Sequence, residues 1–228
     1  MFFSLLTTAF SSPFNSRAYY EGRKEIIWEV PTKEKVIALT FDDGPDPNDT
    51  PTILDLLSQY DAKATFFVIG KRVEQYPHLV IRETMEGHEV ANHTYNHPYF
   101  NQRVSNDRIR SEMERTNEAI IQVTGQKPHL FRPPGGCYNE QLVRVSKNLN
   151  YQIILWSWHQ DTEDWNTPGV HKIVSKVLNN AHNGDIVLFH DYVEGATQTV
   201  AALKLILPEL KKRGFRFVTV SELLTYKQ

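Results

Sequence analysis

Apolar residues fall in short runs separated by longer mixed stretches, and the two patterns alternate along nearly the whole chain. The runs at 36–41, 65–69, 89–92, 130–132, 153–158, 185–189 and 216–220 are rich in Val, Ile, Leu and Phe, and most lack in–out alternation. A strand wet on one face alternates, whereas a strand covered on both faces reads as an unbroken apolar run. Seven buried, parallel strands are therefore predicted.

The stretches between them carry apolar residues at helical spacing. Thr50-Pro51 reads as an N-cap followed by proline at the first helical position, ahead of Ile53, Leu54, Leu56 and Leu57. Thr167-Pro168 repeats that start before Ile173, Val174, Val177 and Leu178. Ser105 is placed to cap a polar helix that turns Ile109, Met113, Ile120 and Ile121 inward. From 196 to 212, Val200, Leu203, Ile206, Leu207 and Leu210 share one face, Gly214 ends the helix, and Pro208 predicts a kink or break.

Strands alternating with helices give an α/β fold with a parallel sheet and right-handed crossovers. In such folds chemistry collects at the carboxyl ends of the strands. Here the polar strand ends belong to the first, third, fourth, fifth and sixth runs. That spread predicts a distorted (β/α) barrel of about seven parallel strands in a single domain, over a doubly wound sheet with one switch point. Residues 1–30 are expected to be a tail or a partial signal or anchor segment, and 31–228 the folded domain.

Composition narrows the functions available. The chain has 228 residues, with 25 Lys and Arg against 27 Asp and Glu. A formal charge of −2 gives no electrostatic pull toward nucleic acid. A single cysteine, Cys137, excludes an intrachain disulfide. The first ten residues, MFFSLLTTAF, resemble the back half of a secretory signal but lack its basic start; a docked tail fits equally. They are too few to span a bilayer, and no other segment could do so.

The strand ends hold the candidate chemistry. Asp42 and Asp43 close the first run, and Gly44-Pro45 forces a turn behind them. His93 and His97 follow the third run; on a helical turn, i and i+4 would put both imidazoles beside one ion. Two histidines and one carboxylate, with a position left for water, match a catalytic zinc-type site. Arg132 could hold a cleft carboxylate ionised, and the Pro133-Pro134-Gly135-Gly136 loop after it could turn a free amide of Gly135 or Gly136 toward an oxyanion. Asp161, Asp164 and Trp165 follow a run containing Trp156 and Trp158, a mix of carboxylates and ring faces that suits a sugar. His190 ends the sixth run and could act as a general acid if a carboxylate orients it. The other histidines, His78, His88, His129, His159, His171 and His182, are read as structural or surface residues without comparable partners.

These five segments, in this order, resemble the polysaccharide deacetylase family (carbohydrate esterase family four), from about Lys35 to Leu224. Thr-Phe-Asp-Asp-Gly-Pro and His-Thr-x-x-His are its most specific motifs in this chain. The resemblance implies a metal-dependent hydrolase that removes N-acetyl groups from amino sugars of a polysaccharide. Peptidoglycan N-acetylglucosamine or N-acetylmuramic acid is the expected substrate, with chitin or chitooligosaccharides, or acetyl esters of xylan, as alternatives. A non-catalytic carbohydrate-binding protein on the same fold is the remaining alternative; it would be expected to lack a ligand, the base or the acid. Carried over by motif, Asp43, His93 and His97 become ligands of a divalent metal, zinc first, with cobalt, nickel or manganese possible. Asp42 becomes the base and His190 the acid, with Arg132 orienting Asp42 and Asp161 orienting His190. Gly135, Trp165 and Leu188 become substrate-binding residues. Gly135 stands where the family has an aromatic, so the subsite there is expected to be more open. A monomer is expected, exported and cell-wall associated or extracellular, with a cytoplasmic placement left open.

Overall fold

The apolar run at 36–41 becomes the centre of a parallel sheet. Strand β2, Val36–Asp42, is buried at every position and pairs with β3, Ala64–Val68, on one side and β7, Ile186–His190, on the other. A strand with neighbours on both edges, helices on its outer face and the packed barrel interior on its inner face has no wet side, which is why its sequence does not alternate. The computed structural model describes residues 16–100, 104–195 and 197–226. In it the sheet runs β1-β6-β5-β4-β3-β2-β7, and a short β8 pairs with the start of β2. The remaining strands are β1, Ile26–Ile27; β4, Glu89–Asn92; β5, Leu130–Phe131; β6, Gln152–Ile154; and β8, Arg216–Phe217.

The two ends of this order are brought together by lighter contacts. Glu29 bridges Asp185, Asp161 bridges Leu188, and the Ser157 amide donates to the Ile186 carbonyl at 3.0 Å. The sheet thus curls into a distorted barrel whose last seam is incompletely hydrogen-bonded. Around it lie α1, Arg17–Gly22; α2, Asp49–Gln59; α3, Gly70–Gln75; α4, Pro77–Met85; α5, Asn106–Thr124; α6, Glu140–Asn148; α7, Val170–Asn180; α8, Thr199–Lys212; and α9, Val220–Thr225. None of these helices is long and apolar enough to cross a membrane.

Several expectations are corrected. The domain begins before residue 31, since α1 and β1 belong to it and Tyr20, Ile26 and Trp28 are buried. The signal-like stretch, residues 1–10, lies outside the described residues. The run at 153–158 leaves the ladder after Ile154, because the carbonyls of Ile154 and Leu155 turn to the Arg132 guanidinium at 3.2 and 3.0 Å. The run at 216–220 stops at Phe217, and Thr219 caps α9 by accepting from the Glu222 amide at 3.1 Å. Thr50 does not cap α2, which starts at Asp49. Its hydroxyl donates to Asp191 at 2.5 Å and accepts from the Asp46 amide at 2.7 Å, bracing the loop behind Asp42-Asp43. Helix α7 starts at Val170, three residues after Thr167, which adopts a left-handed conformation. Pro208 lies inside an unbroken α8. Leu203, Ile206, Leu207 and Leu210 are all buried around it, and that packing outweighs one missing hydrogen bond, costing about 3 kcal/mol. Ser105 does cap α5, accepting from the Arg108 amide at 3.2 Å.

Candidate active site

Parallel register puts the chemistry together. Asp42 and His190 lie side by side at the ends of β2 and β7. Asp43, His93 and His97 stand beside them at the same mouth, in a cavity of about 360 Å³ that Gly135, Asp161, Trp165 and Leu188 also line. Every site residue expected from the sequence reaches this cavity except Arg132, which lies buried beneath it.

The backbone at the mouth is unusual. Asp43, Thr94 and His97 all have positive φ, at 75°, 69° and 57°. A left-handed conformation costs a residue with a side chain roughly 1–2 kcal/mol, so three together need support from their surroundings. The support around the histidines comes from β4 and α5. Asn92 accepts from the Thr94 amide at 2.8 Å and is itself anchored to the Met113 carbonyl and the Tyr151 hydroxyl. Glu112, fully buried, accepts from the amides of Tyr95 and Asn96 at 3.1 and 2.8 Å and from the Asn96 side chain at 2.9 Å. The five residues from His93 to His97 therefore form a turn, not the helical turn their i, i+4 spacing suggested. The imidazoles converge all the same, with centroids 5.0 Å apart.

Asp43 Oδ1 lies 3.3 Å from His93 Nε2 and 3.1 Å from His97 Nε2. Neither contact has hydrogen-bond geometry, and Oδ1 is a buried oxygen without a hydrogen-bond partner among the described residues. Burial favours the neutral acid, yet His93 and His97 outweigh it and hold Asp43 at about pH 2. Burial likewise opposes charge on His93, but Asp42 and Asp43 raise its pKa, whereas burial and His93 lower that of His97. His93 Nδ1 sits 2.7 Å from the Arg132 carbonyl, which fixes its proton there and leaves Nε2 a free lone pair. Two imidazole nitrogens and an ionised, orphaned oxygen facing one point fit a divalent ion of the zinc class.

The two flanking groups each have a partner. Arg132 is fully buried; its Nη1 donates to Asp42 Oδ1 at 2.7 Å and to Thr40 Oγ1 at 2.8 Å, and it stacks 4.0 Å over Phe67. Losing one member of such a buried pair strands the other charge. His190 is oriented by Asp164, not by Asp161. Its Nδ1 is 2.7 Å from Asp164 Oδ1, and its backbone amide donates to Asp164 Oδ2 at 2.8 Å. Thr199 supplies a third bond to Asp164 at 2.6 Å. Burial lowers the pKa of His190, but Asp164 outweighs it and lifts the value to about 9. Asp161 instead accepts from the Glu163 amide at 3.2 Å and faces the cavity, its pKa raised by burial. Two carboxylates three residues apart on one loop could not be told apart by spacing. Only the αL turn at Glu163 decides which one goes under the histidine.

The loop after Arg132 resolves the choice between two amides. The Gly136 amide is taken by the Pro133 carbonyl at 2.9 Å, whereas the Gly135 amide has no hydrogen bond among the described residues and borders the cavity. The expectation of a more open subsite at Gly135 is overturned. A Cβ built on Gly135 would lie 2.6 Å from the ring of Tyr99, which fills that side of the cavity and stands 63% exposed. Tyr99 was not anticipated from the sequence, and neither was Glu112. The one signal available for Glu112 is a carboxylate on the inward face of α5, beside Ile109 and Met113. The histidines set aside as partnerless are corrected in part. His88 is structural, accepting from the Ala64 amide at 3.2 Å, but His159 and His182 converge with Asp185.

Comparison with known proteins agrees with this geometry. The polysaccharide deacetylase family model matches residues 29–154. A peptidoglycan-N-acetylglucosamine deacetylase of Bacillus cereus is 54% identical over 202 residues, covering 89% of this chain and 94% of that protein. The crystal structure of a peptidoglycan N-acetylglucosamine deacetylase in complex with 4-naphthalen-1-yl-N-oxidanyl-benzamide superposes with a TM-score of 0.87 at 35% identity, covering 93% of this chain and 99% of that one. A family 4 acetyl xylan esterase from Clostridium thermocellum, in complex with a cobalt ion, gives a TM-score of 0.77 at 35% identity, covering 84% and 91%. The chain belongs to the polysaccharide deacetylase family, carbohydrate esterase family four, and is a deacetylase of the metal-dependent kind.

Proposed function

We propose that this deacetylase removes the acetyl group from N-acetylglucosamine or N-acetylmuramic acid residues of peptidoglycan, with zinc held by Asp43, His93 and His97. The observation that carries the proposal is the pairing at the mouth. A carboxylate is held by Arg132 and an imidazole by Asp164, both beside a three-ligand cluster with an orphaned oxygen.

The ion would supply Lewis acidity and a water of lowered pKa. The chain's own residues do the rest. Asp42, held in place by Arg132, takes the proton of the attacking water. The Gly135 amide donates to the developing oxyanion; one such donor is typically worth about 3–4 kcal/mol. His190 carries its Nδ1 proton toward Asp164 and presents Nε2–H to the cavity, where it protonates the departing sugar nitrogen. Leu188 and Trp165 wall the acetyl group, and Tyr99 and Trp156 offer ring faces to the sugar. Asp161 is free to accept from a sugar hydroxyl. Support for peptidoglycan comes from the 54% relative, whose coverage leaves little of either chain unmatched. A peptidoglycan substrate places the enzyme outside the membrane.

Mass spectrometry of peptidoglycan and of chitooligosaccharides after incubation, with and without chelator, tests the assignment. Loss of acetyl groups from peptidoglycan, abolished by chelator, is expected. Asp42→Asn should lower turnover by about 10²–10⁴-fold while the ion stays bound. Turnover on chitooligosaccharides alone would overturn the substrate, and near-normal turnover by Asp42→Asn would overturn the base.

A further inference from the structure

We infer that the chain has a second divalent-metal site, formed by His159, His182 and Asp185 at the amino end of the sheet. Asp185 immediately precedes β7 and His190 ends it, so the strand's length, about 16 Å, separates this cluster from the mouth. His159 comes from the segment after β6, and His182 and Asp185 from the turn between α7 and β7.

The donor atoms already stand near the spacing an ion sets, all within 4.8 Å of one another. His159 Nε2 is 2.9 Å from Asp185 Oδ1 and 3.3 Å from His182 Nδ1, and His182 Nδ1 is 3.9 Å from Asp185 Oδ2. Tetrahedral zinc with bonds of 2.0–2.1 Å to nitrogen and oxygen separates its ligands by about 3.3–3.4 Å. The rings stand edge to face, 5.0 Å apart and 89° inclined. Asp185 is buried and already oriented, since Gln160 Nε2 and the His182 amide donate to its Oδ2 at 3.0 and 2.8 Å. This is the outer support that ligating carboxylates carry.

Protons alone satisfy the carboxylate but leave His182 Nδ1 without a donor of its own in the cluster. His159 Nε2 faces both a carboxylate oxygen and an imidazole nitrogen. If Nε2 carries a proton for Asp185, His182 Nδ1 can only share it. If Nε2 accepts from a His182 Nδ1–H, its lone pair faces the lone pairs of Asp185. If both rings are charged, two N–H groups face each other. One ion satisfies all three donors, and the exposure of His182 leaves water to complete the shell. The ligand is thus a zinc-class cation, since imidazoles with a carboxylate suit Zn, Co and Ni. It would staple the amino end of the seam, where the Ser157–Ile186 pair of hydrogen bonds and the Glu29–Asp185 bridge join the two edges.

Equilibrium dialysis of the chelator-stripped full chain against zinc tests this. Wild type is expected to bind two ions per chain. His159→Ala and His182→Ala should each bind one and keep deacetylase activity, and His93→Ala should also bind one, at the seam. Zinc at about a hundredfold over its dissociation constant should raise the melting midpoint of wild type by roughly 5–10 °C more than that of His182→Ala. His182 is exposed, so its replacement threatens the fold little. A single ion in wild type, or two in either seam variant, overturns the site while leaving the mouth assignment untouched.

Discussion

The described residues include two clusters of two imidazoles and one aspartate, one at each end of the same sheet. At the mouth, Asp43 and His97 are themselves left-handed, and Asp43 Oδ1 is buried without a hydrogen bond. At the seam, no ligand has a positive φ, and both oxygens of Asp185 are hydrogen-bonded. The mouth is built in a conformation that makes little sense without an ion, while the seam survives without one. Residue types are the same in both; what separates a catalytic centre from an opportunistic staple is how much unfavourable backbone and unsatisfied charge the fold tolerates to hold it.

The largest contrast should be in turnover. His93→Ala is expected to lower kcat/KM by about 10³-fold or more, because the ion's share of transition-state stabilisation is several kcal/mol. His182→Ala should leave kcat/KM unchanged. Steady-state acetate release with zinc present measures both, and equal losses would erase the distinction. Graded chelation sharpens it further: the seam ion should leave first, before activity falls.

The mouth also holds a finer contrast, between its two candidate partners for His190. Asp164→Asn should lower kcat by roughly 10²–10⁴-fold, since the acid loses both its orientation and its stabilising charge. The sign of the pH effect is fixed as well. Asp164 raises the pKa of His190, and the protonated ring is the active form, so activity falls as pH rises through that value. Removing the charge moves the alkaline limb of the kcat profile to lower pH. Asp161→Asn should leave that limb in place. A shifted limb in Asp161→Asn alone would restore the assignment made from the motif.

That assignment shows where the sequence stops being legible. Buried parallel strands write themselves as unbroken apolar runs, so β2, β3, β4 and β7 were visible to within a residue or so at each end. The position of every ligand at a strand end followed from that alone. What pattern could not show is direction within a loop. Whether Asp161 or Asp164 turns inward depends on the left-handed turn at Glu163, and the His93–His97 turn depends on Asn92 and Glu112. A left-handed residue and side-chain bonds to backbone amides leave no period in the sequence. Gly135 taught the same lesson in reverse: the missing aromatic was plain, but the ring that fills its place comes from Tyr99, 36 positions away.

Support for the mouth's strained turn can be tested at a residue that touches no ligand. Glu112→Gln keeps the shape but weakens charge-assisted bonds to the Tyr95 and Asn96 amides. Zinc affinity at the mouth should fall by about 10–100-fold, as is usual when the outer support of a ligand is altered. Competition with a chromophoric chelator reads this directly. Seam affinity should not move, and if it fell in parallel, Glu112 would be acting on the fold at large.

The smallest expected effect concerns Tyr99. Its ring borders the cavity and meets the catalytic machinery only edge-on at the His97 ring, centroids 5.7 Å apart, so Tyr99→Ala should raise KM for a glycan by a few-fold to about tenfold, the equivalent of one aromatic contact, and change kcat less than KM. The occupied space makes a stronger test possible. Gly135→Tyr alone should destabilise the protein, because its Cβ meets the Tyr99 ring and its φ is 61°. In a Tyr99→Ala background the collision disappears and only the backbone strain remains. The two substitutions should therefore be less damaging together than their separate effects predict, with the new ring recovering part of the lost glycan affinity. Strict additivity in melting midpoint and KM would mean that the two positions do not share one space, and that the cavity wall beside Gly135 is open after all.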